Sequence, residues 1–119
     1  PGVTPVPGAN PWMLGVANVR GNLIPVVDLK QFLDGERTVV HDGQRVLVIR
    51  QAGGNVAVLI DELYGQRTFN DTHRFELEEP YEGRYGNFVG QTYLLNDSQW
   101  GVFNMSLLTR TPEFRQAVL

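Results

Sequence analysis

The stretch from Gly15 to Leu29 constrains the fold of this chain more than any other. It consists of Gly15-Val-Ala-Asn-Val-Arg-Gly-Asn-Leu-Ile-Pro-Val-Val-Asp-Leu29, in which apolar and β-branched residues flank a polar Arg-Gly-Asn turn. Asp28 then occupies the position of a helix N-cap, ahead of Leu29, Phe32 and Leu33 at helical spacing. The pattern predicts a β-hairpin that continues directly into a short helix.

Two more hairpins are predicted downstream. Strands over 45–50 and 55–61 flank Gln51-Ala-Gly-Gly54, whose glycines supply the positive φ angles of a tight turn. Strands over 88–95 and 99–103 flank Asn96-Asp-Ser98, and Asn104 follows as a second helix cap. The remaining expectations are a short strand over 38–40, a long strand over 61–69 bent at Gly65, a polar surface loop over 70–87 and a helix over 112–118.

Two segments follow the same plan, which indicates an internal repeat. Gly15 to Phe32 and Gly90 to Leu108 each consist of a glycine, a strand, a polar turn, a second strand, an Asp or Asn cap and a short apolar helix. The repeat predicts two similar β modules, each closed by one such hairpin.

Composition limits the function classes. The 119 residues suffice for one domain, and the absence of Cys excludes a disulfide framework and thiol catalysis and is consistent with a reducing cytoplasm. No apolar run approaches the length of a membrane span. The net charge of −3, with nine scattered arginines and one lysine, argues against sequence-independent nucleic-acid binding, which needs several phosphate contacts on one face.

No catalytic, metal or cofactor site is predicted. His41 and His73 are isolated, and neither has a second ligand at zinc-type spacing. Asp61 and Glu62 are adjacent carboxylates, which would point to opposite faces of a strand. The chain is therefore predicted not to be an enzyme.

Residues 15–29 resemble the signature of the CheW family, the coupling proteins of bacterial chemosensory arrays. The lead-in 5–14 and the segments 45–49, 56–63 and 88–108 resemble the preceding loop, the next two strands and the closing hairpin of that family. The resemblance implies an all-β fold of two small SH3-like, five-stranded β-barrel modules packed side by side, with short helices after the hairpins and at the C-terminus. It implies one CheW-like domain over 1–119.

The predicted modules divide that domain at residue 40. Residues 1–40 form part of the first barrel, residues 41–110 form the second barrel, and residues 111–119 form the C-terminal helix. Family members begin with a further pair of strands, whereas only a proline-rich lead-in precedes Gly15 here. The first barrel would therefore lack strands, so the chain is expected to be a fragment of a longer protein or to complete itself by strand exchange in a homodimer.

The resemblance also implies a function and partners. A CheW-like protein is a non-catalytic cytoplasmic adaptor that couples the tip of a methyl-accepting chemoreceptor to the regulatory domain of a CheA-type histidine kinase, without inserting into the membrane or binding nucleic acid. Arg20 matches the Arg of the family's Asn-x-Arg-Gly motif, for which a receptor contact and a structural ion pair are alternatives. The predicted partner-binding residues are Val19, Arg20, Gly21, Ile24 and Val26.

Two further implications concern the kinase and the pathway. The apolar residues of 45–49 and 56–60 are expected to lie in the core, with part of that module's edge facing the kinase by resemblance. In the closing segment Asn104 stands where the family has Asp, and the sequence there resembles the couplers of twitching-motility (type IV pilus) pathways more than flagellar ones.

Two alternative functions remain open at this point. The same fold occurs as the regulatory domain of the kinase itself. A small-barrel binder of a ligand or nucleic acid is the other alternative, because aromatic residues such as Trp12, Tyr93 and Trp100 could stack on bases.

Overall fold

The computed structural model describes residues 2–39, 44–50 and 54–118, with side chains as far as residue 115. They form two compact units. Unit 1 comprises residues 1–63 and 112–119, and unit 2 comprises residues 64–111. The predicted turn residues 51–53, His41 and the end of the predicted strand over 38–40 lie outside the described residues.

Unit 1 is built on a four-stranded sheet with the order β1-β2-β4-β3. Its elements are β1 (Met13–Val19), β2 (Asn22–Asp28), α1 (Leu29–Asp34), β3 (Arg45–Ile49), β4 (Val56–Ile60) and the terminal helix α4 (Pro112–Val118). β1 and β2 form the first predicted hairpin, and β3 and β4 form the second. The two hairpins are joined by a parallel pairing of β2 with β4, so each hairpin contributes one central strand.

Both faces of the central strands are buried. Val26 pairs with Ala57 and belongs to one apolar cluster, whereas the next pair, Val27 with Val58, is fully buried on the opposite face. A strand buried on both faces needs a nearly continuous apolar run, which explains the sequences Leu-Ile-Pro-Val-Val and Val-Ala-Val-Leu-Ile.

Pro25 is accommodated in a central strand because it forms no ladder bond to β1 and precedes Val26, the first residue of the parallel ladder with β4. It lies opposite Val16, whose backbone N–H and C=O both bond to Thr4 on the outer side of β1, at 2.9 and 2.8 Å. Val16 and Pro25 therefore form a non-hydrogen-bonded pair. Gly15 allows this approach: its φ of 147° suits glycine, and a Cβ there would overlap the carbonyl of Thr4.

The predicted cap at Asp28 is confirmed and also ties down the following loop. The Asp28 carboxylate accepts from the Gln31 backbone N–H at 3.2 Å, and from the Thr38 N–H and hydroxyl at 2.8 and 2.5 Å. Asp28 and Thr38 are both buried. Thr38 and Val39 are irregular rather than a strand, because Thr38 bonds to this carboxylate instead of a ladder partner.

Three aromatic rings bring both ends of the chain together in unit 1. Trp12 meets Phe32 of α1 edge-on at 4.9 Å between ring centroids and stacks on Phe114 of α4 at 5.7 Å. Phe32 and Phe114 are also in edge contact, at 5.7 Å. The predicted terminal helix is therefore part of the core of unit 1.

Unit 2 is built on a three-stranded antiparallel sheet with the order β5-β6-β7. Its elements are a 3₁₀ turn (Asp71–His73), β5 (Arg74–Phe75), α2 (Tyr85–Phe88), β6 (Val89–Leu95), β7 (Ser98–Phe103) and α3 (Met105–Arg110). The predicted cap at Asn104 is confirmed, since its side chain accepts from the Leu107 N–H at 3.0 Å. β6, β7 and α3 thus repeat the plan of β1, β2 and α1, as the internal repeat indicated.

The prediction of a long strand over 61–69 was wrong: these residues are irregular. Gly65 has a φ of 83°, which interrupts an extended chain. The Arg67 guanidinium donates to the carbonyls of Tyr64 and Gln66, at 2.8 and 3.2 Å, and so satisfies groups that a strand would have paired in a ladder. The predicted polar loop over 70–87 contains the 3₁₀ turn, β5 and the start of α2.

The all-β class is confirmed, and the arrangement of strands differs from the expected one. The described residues form sheets of four and three strands, not two closed five-stranded barrels. β3 and β4 share a sheet with β1 and β2, and the two compact units are divided in the sequence after Leu63. The parallel contact between β2 and β4 joins segments about thirty residues apart, which turn chemistry alone does not reveal.

Candidate partner-binding surface

The β1–β2 turn presents Arg20 at the tip of a rigid hairpin. Arg20 and Gly21 have φ values of 53° and 85°, the two positive angles of a type I′ turn between the paired Val19 and Asn22. The Asn18 side chain accepts from the Gly21 N–H at 2.9 Å and holds the turn closed. Arg20 and Gly21 are exposed, so the hairpin geometry offers a cationic side chain to solvent.

Two of the predicted partner-binding residues are buried. Ile24 and Val26 are 4% and 3% exposed and belong to the apolar cluster of unit 1 with Ala17 and Ala57. Their side chains contribute to the core of unit 1. Val19 is half-buried and packs against the same cluster.

The alternation of β2 instead exposes Leu23. Its side chain is 72% exposed, and it lies between the turn and the buried Ile24. Sequence reasoning missed Leu23, because the uniformly apolar run from Leu23 to Val27 does not show which side chains face outward. Together with Arg20 it forms a charged and apolar patch, called here the hairpin patch (Arg20, Gly21 and Leu23).

A second exposed apolar surface lies on β3. Val46 and Val48 are 48% and 45% exposed, on the face that their ladder partners Leu59 and Ala57 share. β3 is an edge strand, and no described residue pairs with its outer side. The position of β3 at the edge of the sheet, beside exposed valines, makes this a surface on which another chain could add a strand. It is called the β3 edge (Val46, Val48 and the outer backbone of the strand).

The aromatic residues considered for base stacking are engaged within the chain. Trp12 is buried against Phe32 and Phe114. In unit 2, Tyr93 stacks on Phe69 at 4.9 Å, and the Arg67 guanidinium lies over the ring of Trp100 at 5.9 Å. Burial therefore removes Trp12 from base stacking, and contacts within the chain occupy one face of the Tyr93 ring and one face of the Trp100 ring.

The titratable residues of the described segments fill structural positions. His73 Nδ1 accepts from the Asn70 N–H at 3.2 Å in the capping box of the 3₁₀ turn. Burial, with a smaller contribution from Tyr81, raises the pKa of Tyr85 above its ordinary value. Within residues 2–39, 44–50 and 54–118, no three His, Asp or Glu side chains are grouped to hold a metal ion.

Comparisons with known proteins agree with this architecture. The sequence profile of the CheW-like domain matches residues 1–113. The chain is 32% identical to Protein PilI of Pseudomonas aeruginosa over 114 residues, which cover 96% of this chain and 64% of the relative. It is 34% identical to chemotaxis protein CheW of Bacillus subtilis over 80 residues, covering 67% of this chain and 49% of that protein.

A solved structure supports the same fold. The crystal structure of the scaffolding protein TtCheW from Thermoanaerobacter tengcongensis superposes with a TM-score of 0.75 at 19% identity, covering 94% of this chain and 72% of that one. None of the helices in the described part of the chain is long and apolar enough to cross a membrane. The profile match spans nearly the whole sequence, and the chain therefore belongs to the CheW-like domain family.

Proposed function

We propose that this chain acts as a non-catalytic adaptor that couples a chemoreceptor to a CheA-type histidine kinase in the cytoplasm. The observation that carries the proposal is the CheW-like match over residues 1–113. Two exposed surfaces on one sheet, the hairpin patch and the β3 edge, suit a protein that binds two partners at once. The chain spans 64% and 49% of the two curated relatives, so the adaptor function is proposed for the protein to which this domain belongs.

We assign the pathway to pilus-linked chemosensory signalling. The similarity to PilI covers 96% of this chain, whereas the similarity to the chemotaxis protein CheW covers 67%. The wider coverage supports the twitching-motility branch. The absence of Cys from the sequence is in keeping with a reducing cytoplasm.

The β3 edge is the proposed docking surface for the kinase regulatory domain. Its exposed valines supply the apolar anchors, and its outer backbone can pair with a strand of a domain of similar fold. The same edge could instead pair two copies of this chain by strand exchange, and the mass of the chain alone distinguishes that outcome.

Size-exclusion chromatography with light scattering tests this docking. The chain mixed with a CheA-type regulatory domain is expected to elute as a one-to-one complex. Val48→Lys places a charge on the β3 edge and should abolish the complex. Leu94→Lys in β6 is the matched control, because Leu94 is 47% exposed, close to the 45% of Val48. Separate elution of a folded chain, or equal loss with both variants, would count against the proposed surface.

Arg20 is the proposed receptor contact. Arg20→Ala is expected to weaken binding to a chemoreceptor tip by about 1–2 kcal/mol, or about five- to thirtyfold, because the exposed guanidinium is removed while the turn is held by Asn18 and Gly21. Isothermal titration with a receptor-tip fragment measures the change. Arg37→Ala, another exposed arginine of unit 1, should bind like the wild type. Unchanged affinity of the folded Arg20 variant would exclude Arg20 as a contact.

A further inference from the structure

A cavity of about 190 Å³ lies in unit 2, beside the loop that connects β5 to α2. Binding sites for free small molecules usually have volumes of about 300–1,000 Å³. The cavity therefore suits a single side chain of a partner protein better than a separate ligand. Its lining includes Glu76, Leu77, Pro80, Tyr81, Val89 and Gly90.

The wall formed by Tyr81 is fixed by packing. Gly86 of α2 lies so close to Tyr81 that a Cβ at Gly86 would overlap the Tyr81 carbonyl. The Tyr81 ring meets Tyr85 edge-on at 5.1 Å, and Tyr85 contacts Phe103 at 6.0 Å. The aromatic wall is thus preformed, and a partner side chain would bind without ordering the loop.

Among the polar side chains at the cavity, the Glu76 carboxylate is the group that can bind an incoming side chain. The Thr92 hydroxyl donates to the Phe75 carbonyl at 2.5 Å. Glu76 lies 3.8 Å from Arg74 in an ion pair whose side chains are 88% and 48% exposed. Such a solvated pair contributes little and exchanges readily, so the Glu76 carboxylate can accept a new cationic partner.

The charge around the cavity favours a cation. Residues 70–90 contain five carboxylates and two arginines, so this segment accounts for the formal net charge of −3 of the whole chain. An arginine side chain matches the apolar, aromatic and acidic parts of the lining. Its stem can lie along Leu77, Pro80 and Val89, and its guanidinium can stack on the Tyr81 ring and pair with Glu76.

We propose that this cavity receives an arginine side chain of a partner protein, held between the Tyr81 ring and the Glu76 carboxylate. The inference goes beyond the adaptor function and does not depend on it, because it uses neither the hairpin patch nor the β3 edge. Arginine is preferred to lysine because only the planar guanidinium can both stack and make a bidentate pair.

Titration of the ¹⁵N-labelled chain with N-acetyl-L-arginine amide tests the cavity by amide chemical shifts. Saturable shifts are expected at Gly86, Val89 and Gly90. N-acetyl-L-lysine amide should bind about fivefold more weakly, and the uncharged N-acetyl-L-citrulline amide should cause no saturable shift. The absence of saturation with the arginine derivative, or equal binding of the citrulline derivative, would overturn the proposal.

Two variants locate the binding. Gly90→Val adds a branched side chain at a residue that lines the cavity, and its Cβ is tolerated because Gly90 does not have a positive φ and a Cβ there meets no atom within 4 Å. Glu76→Gln removes the carboxylate. Each should weaken binding of the arginine derivative at least about fivefold. Glu79→Gln makes the same charge change in the same exposed loop, at a residue that does not line the cavity, and should bind like the wild type. Wild-type affinity of both Gly90→Val and Glu76→Gln would place the binding elsewhere.

Discussion

Asp28→Ala is expected to lower the free energy of unfolding by about 4 kcal/mol. The substitution removes the cap of α1, worth about 0.5–2 kcal/mol, and leaves two Thr38 donors without their acceptor at a buried site. Each buried donor that loses its partner costs about 1–3 kcal/mol. Urea unfolding followed by far-UV circular dichroism measures the loss.

Two further variants serve as comparisons for Asp28→Ala. Asp34→Ala removes an exposed carboxylate that accepts from the Glu36 N–H at 2.9 Å, and should cost at most about 1 kcal/mol. Thr38→Val removes only the hydroxyl and should cost about 1–2 kcal/mol, which remains measurable if Asp28→Ala fails to fold. A loss at Asp28 no greater than that at Asp34 would contradict the role given to this carboxylate.

Phe114→Ala is expected to destabilise unit 1 by about 3–5 kcal/mol. The ring is fully buried and contacts both Trp12 and Phe32, so its removal leaves a cavity and ends two aromatic contacts. Guanidinium unfolding measures the effect. Tryptophan fluorescence follows it, because Trp12 lies in the same aromatic cluster as Phe114. Arg115→Ala, at an exposed position of the same helix, should change stability by less than about 0.5 kcal/mol.

An equal, small effect of Phe114→Ala and Arg115→Ala would show that α4 is not part of the core.

The position of α4 in the core of unit 1 predicts the effect of shortening the chain. Unit 1 is completed by a helix that lies beyond unit 2 in the chain. A chain that ends at Arg110 should therefore lose stability in unit 1, although every strand of its sheet is retained.

Local chemistry made the hairpins and their helices predictable. Arg20-Gly21 and Asn96-Asp97 each place two consecutive residues at positive φ. Turns of this kind can be recognised from a stretch of four residues in the sequence. Asp28 and Asn104 cap their helices through their own side chains. Each of these features depends on neighbours in sequence, so no knowledge of the tertiary fold was needed.

The contacts between distant segments were not predictable in the same way. Leu23-Ile-Pro-Val-Val27 is too uniformly apolar for its alternation to reveal which side chains face outward, because β2 is central and buried on both faces. The sequence therefore did not show that Ile24 and Val26, predicted as partner-binding residues, are buried, and Leu23 was missed. The strand predicted over 61–69 failed because the Arg67 side chain bonds to backbone carbonyls, which propensity does not register.

The candidate surface was predictable at the turn but not at the sheet edge. Arg20 and Gly21 were identified from their motif, and the structure places both at the exposed hairpin tip. Val46 and Val48 look like core residues in the sequence. Their exposure follows from the position of β3 at the edge of the sheet, which is decided by the pairing of β2 with β4.

A bridging assay tests the adaptor function most directly. A chemoreceptor-tip fragment is fixed to beads, and the retained amount of a CheA-type kinase regulatory domain is measured with and without this chain. The adaptor account predicts that the kinase domain is retained only when the chain is present, and that Arg20→Ala or Val48→Lys each removes the bridge. Kinase retention that is the same with and without the folded chain would contradict the account.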